Sequence, residues 1–111
     1  MSKLEKDIEA KVGYWCKKNN VLYIKFSPMG SRGWPDRICI FPGGFHVWLE
    51  LKRKGKTLRK MQVYRAEQLT DQGAITIWAD DADECIEELQ DCLTDSHHTI
   101  PSFFNKLIGG V

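Results

Sequence analysis

A chain of 111 residues with 42% hydrophobic side chains and a formal charge of +1 is long enough for one compact domain with a genuine core. No apolar run approaches the roughly 20 residues that span a bilayer, and the charged start, MSKLEKDIEA, lacks an apolar signal segment, which argues against membrane insertion and secretion and for a cytoplasmic protein. The near-neutral total conceals an uneven distribution: Lys52 to Lys60 (KRKGKTLRK) holds six cations in nine residues, whereas Asp80 to Asp95 holds eight acids and no Lys or Arg.

In chain order, Leu4, Ile8, Val12 and Trp15 recur at helical spacing and predict a helix over 3–18, with Ser2 as N-cap and Asn19-Asn20 as its end. VLYIKF (21–26) is β-branched and aromatic, a first strand. SPMGSRGWP (27–35) is an irregular loop. RICIF (37–41) and FHVWLELK (45–52) are strands joined by a tight turn at Pro42-Gly43-Gly44, hence a hairpin. Thr57 is placed to cap a second helix over about 58–72, closed by Gly73. AITIWA (74–79) is a fourth strand. Asp80 or Asp81 then caps a third helix, whose stripe is Ala82, Cys85, Ile86, Leu89 and Leu93. From Thr94 onward no clear pattern returns until SFFNKLI (102–108). The order predicts an α/β fold with a mixed sheet, as a domain over 1–93 followed by a tail, 94–111, available for packing or dimer contact. Cys16, Cys39, Cys85 and Cys92 match no usual zinc-finger or ribbon spacing and read as buried free thiols.

The chemistry concentrates around the hairpin. Asp36 stands where the Gly-rich loop enters the second strand. Glu50 and Lys52 are two residues apart on the third and share one face. Two carboxylates and an ammonium therefore converge at one end of the sheet, hard oxygen ligands for Mg²⁺ or Mn²⁺ beside a cation able to orient water or stabilise developing charge. An exposed ion pair is the plain alternative for Glu50 and Lys52. It fits poorly, since the run VWLELK is otherwise apolar and placing charge there is costly unless something is bound.

The string GWPD, a hairpin and then ELK resembles the PD-(D/E)XK nuclease signature, with Pro35-Asp36 as its PD and Glu50-Leu51-Lys52 as its E-x-K. The wider spelling, SRGWPDRICIFPGG through VWLELKRKGKTLRKMQ, is similar to the VRR-NUC branch of that superfamily over residues 1 to about 93. This resemblance implies a restriction-endonuclease-like αβββαβ core and a Mg²⁺- or Mn²⁺-dependent endodeoxyribonuclease. It implies Asp36, Glu50 and the main-chain carbonyl of Leu51 as metal ligands and Lys52 as the catalytic lysine. Stand-alone members from phages resemble Holliday-junction resolving enzymes acting as homodimers in recombination and DNA repair, so branched DNA is the expected substrate. A flap nuclease, an RNA-processing nuclease and a non-catalytic DNA-binding module of the same fold are the alternatives.

The family also uses a glutamate of the first helix. Glu5 falls in angle within the apolar stripe and Glu9 at its edge, which favours Glu5 as the ligand, although Ser2-x-x-Glu5 also spells a capping box. Gln62 on the second helix faces the sheet, where the resemblance places a glutamine near metal and substrate; a buried glutamine bonded to backbone is the alternative. Arg32, Arg37, Arg53, Lys54, Lys56, Arg59 and Lys60 flank the proposed centre and are expected to bind DNA phosphates. Trp34 is open to two readings, stacking on a base or packing.

Overall fold

Residues 3–94 are described by the structure, a computed structural model; the tail segment SFFNKLI and the Ser2 cap lie outside the described residues. Seven elements follow in the expected order: α1 (Lys3–Lys18), β1 (Leu22–Lys25), β2 (Arg37–Ile40), β3 (His46–Leu51), α2 (Lys60–Asp71), β4 (Ile75–Ala79) and α3 (Ala82–Thr94). The strands form one sheet in the order β1-β2-β3-β4, antiparallel except for the parallel β3–β4 pair that α2 connects. None of the helices is long and apolar enough to cross a membrane, among the described residues.

Period-two alternation divides β3 between two layers. Val47, Leu49 and Leu51 are buried with Val12 and Cys16 of α1 and Cys85, Leu89 and Cys92 of α3, which makes the main core. At about 1.5–3 kcal/mol for each fully buried aliphatic side chain, this layer is the chief favourable term. The opposite face carries Trp48, Glu50 and, beyond the strand, Lys52. There α2 lies over the β4 side, where Thr70 Oγ1 and Thr76 Oγ1 meet at 3.3 Å. All four cysteines are free and buried.

Several local expectations are corrected. The α1 stripe runs through Ile8, Val12, Trp15 and Cys16, whereas Leu4 is 57% exposed and stays out of the core. Thr57 does not cap α2. Gly55 (φ 87) closes a turn with Lys56 N–H donating to Arg53 O, and the helix begins later, at Arg59, whose N–H is taken by Gln62 Oε1 at 2.8 Å. Asp81 caps α3 through the Glu84 N–H at 2.9 Å, while Asp80 turns away to accept the Gly55 N–H at 3.0 Å. Gly73 (φ 87) does end α2, with Ala74 N–H returning to Leu69 O in a Schellman closure.

Candidate active site

The hairpin register creates the site. Arg37 lies opposite Leu49 and Ile38 opposite Trp48, so the next position out places Asp36 opposite Glu50 on the same face. Phe26 N–H donates to Asp36 O at 2.7 Å, which ties the start of β2 to the end of β1. Glu50 is only 6% exposed and Lys52 9%, with the ammonium 3.9 Å from Glu50 Oε2. Gln62 completes the arrangement. Its carbonyl is committed to the Arg59 N–H, so its NH₂ turns to Glu50 Oε2 at 3.4 Å. One side chain thus bonds to backbone, as the plain alternative has it, and also touches Glu50.

These contacts leave Glu50 unsatisfied. Its Oε1 is buried with no hydrogen-bond partner. Burial, reinforced by the negative charge of Asp36, pushes its carboxyl up to about 8, against the pull of Lys52 and the Asp36 N–H. Asp36 is also raised, first by burial and then by Glu9, with Lys25 and Lys52 opposing. Nothing in ordinary packing rewards two adjacent carboxylates in such a place. Trp78 Nε1 is likewise buried without a partner, in the narrow crevice under α2 that Glu50, Gln62 and Thr76 line.

The two α1 glutamates have different fates. Glu9 Oε1 accepts from Arg37 Nη2 at 2.6 Å, with both side chains under one-fifth exposed, and Arg37 lies over the Tyr23 ring at 4.6 Å. Arg37, expected among the phosphate-binding cations, is therefore drawn inward onto α1, because the parity of β2 points it to that face. Glu5 instead reaches the far end of β3, where its Oε1 accepts the Arg53 N–H at 3.3 Å. Its charge bears on both Asp36 and Glu50. Among the described residues, no three acids, histidines or thiols form a ready-made metal group. The donor set suits Mg²⁺ nonetheless, an ion that binds through one or two carboxylates and fills its shell with water and substrate oxygen. The orphaned Glu50 oxygen is the feature that such a cation would satisfy.

The loop before Asp36 is held by Arg65, a residue the sequence did not single out. Arg65 donates to Arg32 O at 2.9 Å and to Ser31 Oγ at 3.3 Å, and its guanidinium lies over the Trp34 ring at 4.4 Å. Trp34 itself bonds to Ser31 Oγ at 2.7 Å and packs with Phe26 and Trp48, so its role is packing. Gly33 has φ +85 and stands so close to α2 that a Cβ would lie 2.7 Å from Met61 O. Lys25, opposite Arg37 in the register and close enough for its charge to act on Asp36, was also missed. Arg65 offered no signal, since its partners lie 33 and 34 residues away.

Around this centre Arg32, Arg53, Lys54, Lys56, Arg59 and Lys60 are exposed. Lys54 leans toward Asp81 at 3.9 Å, a weak surface contact. No family model matches the chain, and no curated protein does. Among solved structures, one described as a VRR_NUC domain superposes with a TM-score of 0.75 at 19% sequence identity, covering 80% of this chain and 97% of that one. The chain has the fold of that VRR_NUC domain, a mixed four-stranded sheet flanked by three helices.

Proposed function

We propose that this protein is a VRR-NUC nuclease of the PD-(D/E)XK type, a metal-dependent endodeoxyribonuclease that hydrolyses phosphodiester bonds in branched DNA, four-way junctions above all. The observation that carries the reading is Glu50: a carboxylate buried beside Asp36 with one oxygen unpartnered, on a fold shared with a VRR_NUC domain. Asp36, Glu50 and the main-chain carbonyl of Leu51 would hold Mg²⁺ or Mn²⁺, with Glu5 completing the set from α1. When bound, the ion supplies Lewis-acid activation of the phosphodiester and neutralises charge on it.

The chain's own groups do the rest. Lys52 Nζ, fixed beside Glu50, holds the attacking water or a non-bridging phosphate oxygen as negative charge develops. Gln62 pins the Glu50 carboxylate in place. Arg53, Lys54, Lys56, Arg59 and Lys60 grip the phosphates on either side of the cut, and Arg32 does so from the loop. Two incisions in a four-way junction need two such centres, so the active species is a homodimer with two-fold symmetry; sedimentation at micromolar concentration would report twice the chain mass.

The test is cleavage of four-way junctions, flaps, splayed arms and duplexes with Mg²⁺ or with chelator, comparing wild type with Asp36→Asn. Junction cutting that needs the metal and Asp36 is expected. Cutting by Asp36→Asn at the wild-type rate would remove Asp36 from the chemistry and with it the proposed centre.

A further inference from the structure

One surface beside the site is built for more than phosphate. Arg65 is fixed on three sides, by Arg32 O, Ser31 Oγ and Gln68 Oε1. Its guanidinium lies over Trp34 at 4.4 Å and also over Tyr64 at 5.5 Å. The three side chains thus form a Trp–Arg–Tyr series whose inner member is packed against Phe26 and Trp48 and whose outer member, Tyr64, is 51% exposed. Met61, one turn earlier on the same side of α2, is 46% exposed. Three residues apart on the helix, the ring and the thioether are neighbours and form one exposed apolar spot.

The surroundings indicate what covers them. Exposed Arg32 borders Tyr64 through Arg65, and exposed Arg59 and Lys60 precede Met61. Gln62, the neighbour of Met61, is bonded to Glu50. An apolar ring rimmed by cations, on the helix whose Gln62 bonds to Glu50, suits a nucleobase whose phosphates the cations hold. A base inside a continuous duplex presents no free face to it.

We infer that Tyr64, seated on Arg65 and flanked by Met61, is a stacking platform for an unpaired nucleobase of a DNA strand, and that it supplies preference for DNA with unpaired bases over continuous duplex. The inference rests on the nuclease reading and adds to it the feature of the substrate that is recognised. Because the guanidinium, itself held against Trp34, already backs the ring, less side-chain freedom is lost when a base stacks.

The experiment measures fluorescence anisotropy of the full chain, in chelator so that nothing is cut, with an oligo-dT strand and with a duplex of equal length. The quantity read is the ratio of the two affinities. Tyr64→Ala should lower that ratio roughly tenfold, the usual weight of one stacked base, and Tyr64→Phe and Tyr64→Trp should retain it. A ratio unmoved by Tyr64→Ala would overturn the platform, and so would a Tyr64→Phe variant as poor as the alanine one, since the hydroxyl would then be the recognised group. If wild type bound and cut DNA but the ratio did not move, the platform alone would fall. If wild type bound neither strand nor duplex, the nuclease reading would fall with it. Should alanine unsettle α2, visible as a lowered melting temperature, the comparison of Phe and Trp with wild type decides.

Discussion

Replacing Glu50 by Gln keeps the shape of the side chain and removes its ability to ionise. In the folded protein the Glu50 carboxyl titrates at about 8, against a usual value near 4.5. A carboxyl held high favours folding while it is protonated. That contribution is complete below about pH 4.5 and is lost as the pH rises through about 8. Over this window the difference amounts to about 5 kcal/mol, at about 1.4 kcal/mol for each pH unit, an upper limit because slight opening of the crevice admits water. Urea unfolding followed by tryptophan fluorescence, in chelator from pH 5 to pH 9, measures it. Wild type should lose several kcal/mol across the range. Glu50→Gln should give a flatter profile and be the more stable protein at pH 9. Mg²⁺ should restore wild type at high pH and leave the glutamine variant unchanged, because metal and proton compete for the same carboxylate. Parallel profiles for the two proteins, or a less stable Gln variant at pH 9, would refute a buried, destabilised carboxylate at this position.

Lys52→Ala should lower the cleavage rate by a factor of about 10²–10³ while leaving junction affinity nearly unchanged in gel shifts, since the exposed cations make most phosphate contacts; equal losses in both would make Lys52 a binding residue. Glu5→Gln should reduce cleavage with little change in melting temperature. Glu9→Gln should do the reverse, costing about 1–3 kcal/mol in urea unfolding as the part-buried Arg37 loses its charged partner. A cleavage defect confined to Glu9→Gln would exchange their roles. Gly33→Ala should cost about 2–4 kcal/mol, combining a left-handed backbone with a clash on the Met61 main chain, and should slow cleavage because the same loop delivers Asp36. Wild-type stability in that variant would show that the loop does not need its close seat on α2.

The order of elements was legible in the chain because periods of 2 and 3.6 are properties of the local backbone, and β3 and α3 display them without tertiary help. Asp36, Glu50 and Lys52 were legible for a related reason. A tight turn sets the register of a hairpin, and register alone brings positions 36 and 50 together. Helix caps were less legible: Thr57 has the right chemistry at the wrong place, because Gln62 can serve Arg59 and Glu50 at once only if α2 starts later. What only the tertiary structure decided are the pairings made across long stretches of chain. Glu9 finds Arg37 28 residues away, Glu5 finds the Arg53 N–H 48 away, and Arg65 finds the Asp36 loop 33 away. Such partners depend on the angle at which a helix crosses the sheet, which side-chain packing sets and no local period encodes. For the same reason the burial that raises Glu50 and strands its Oε1 belongs to no residue of the E-x-K string; it exists only where α2, β4 and the Gly33 loop close over that string together.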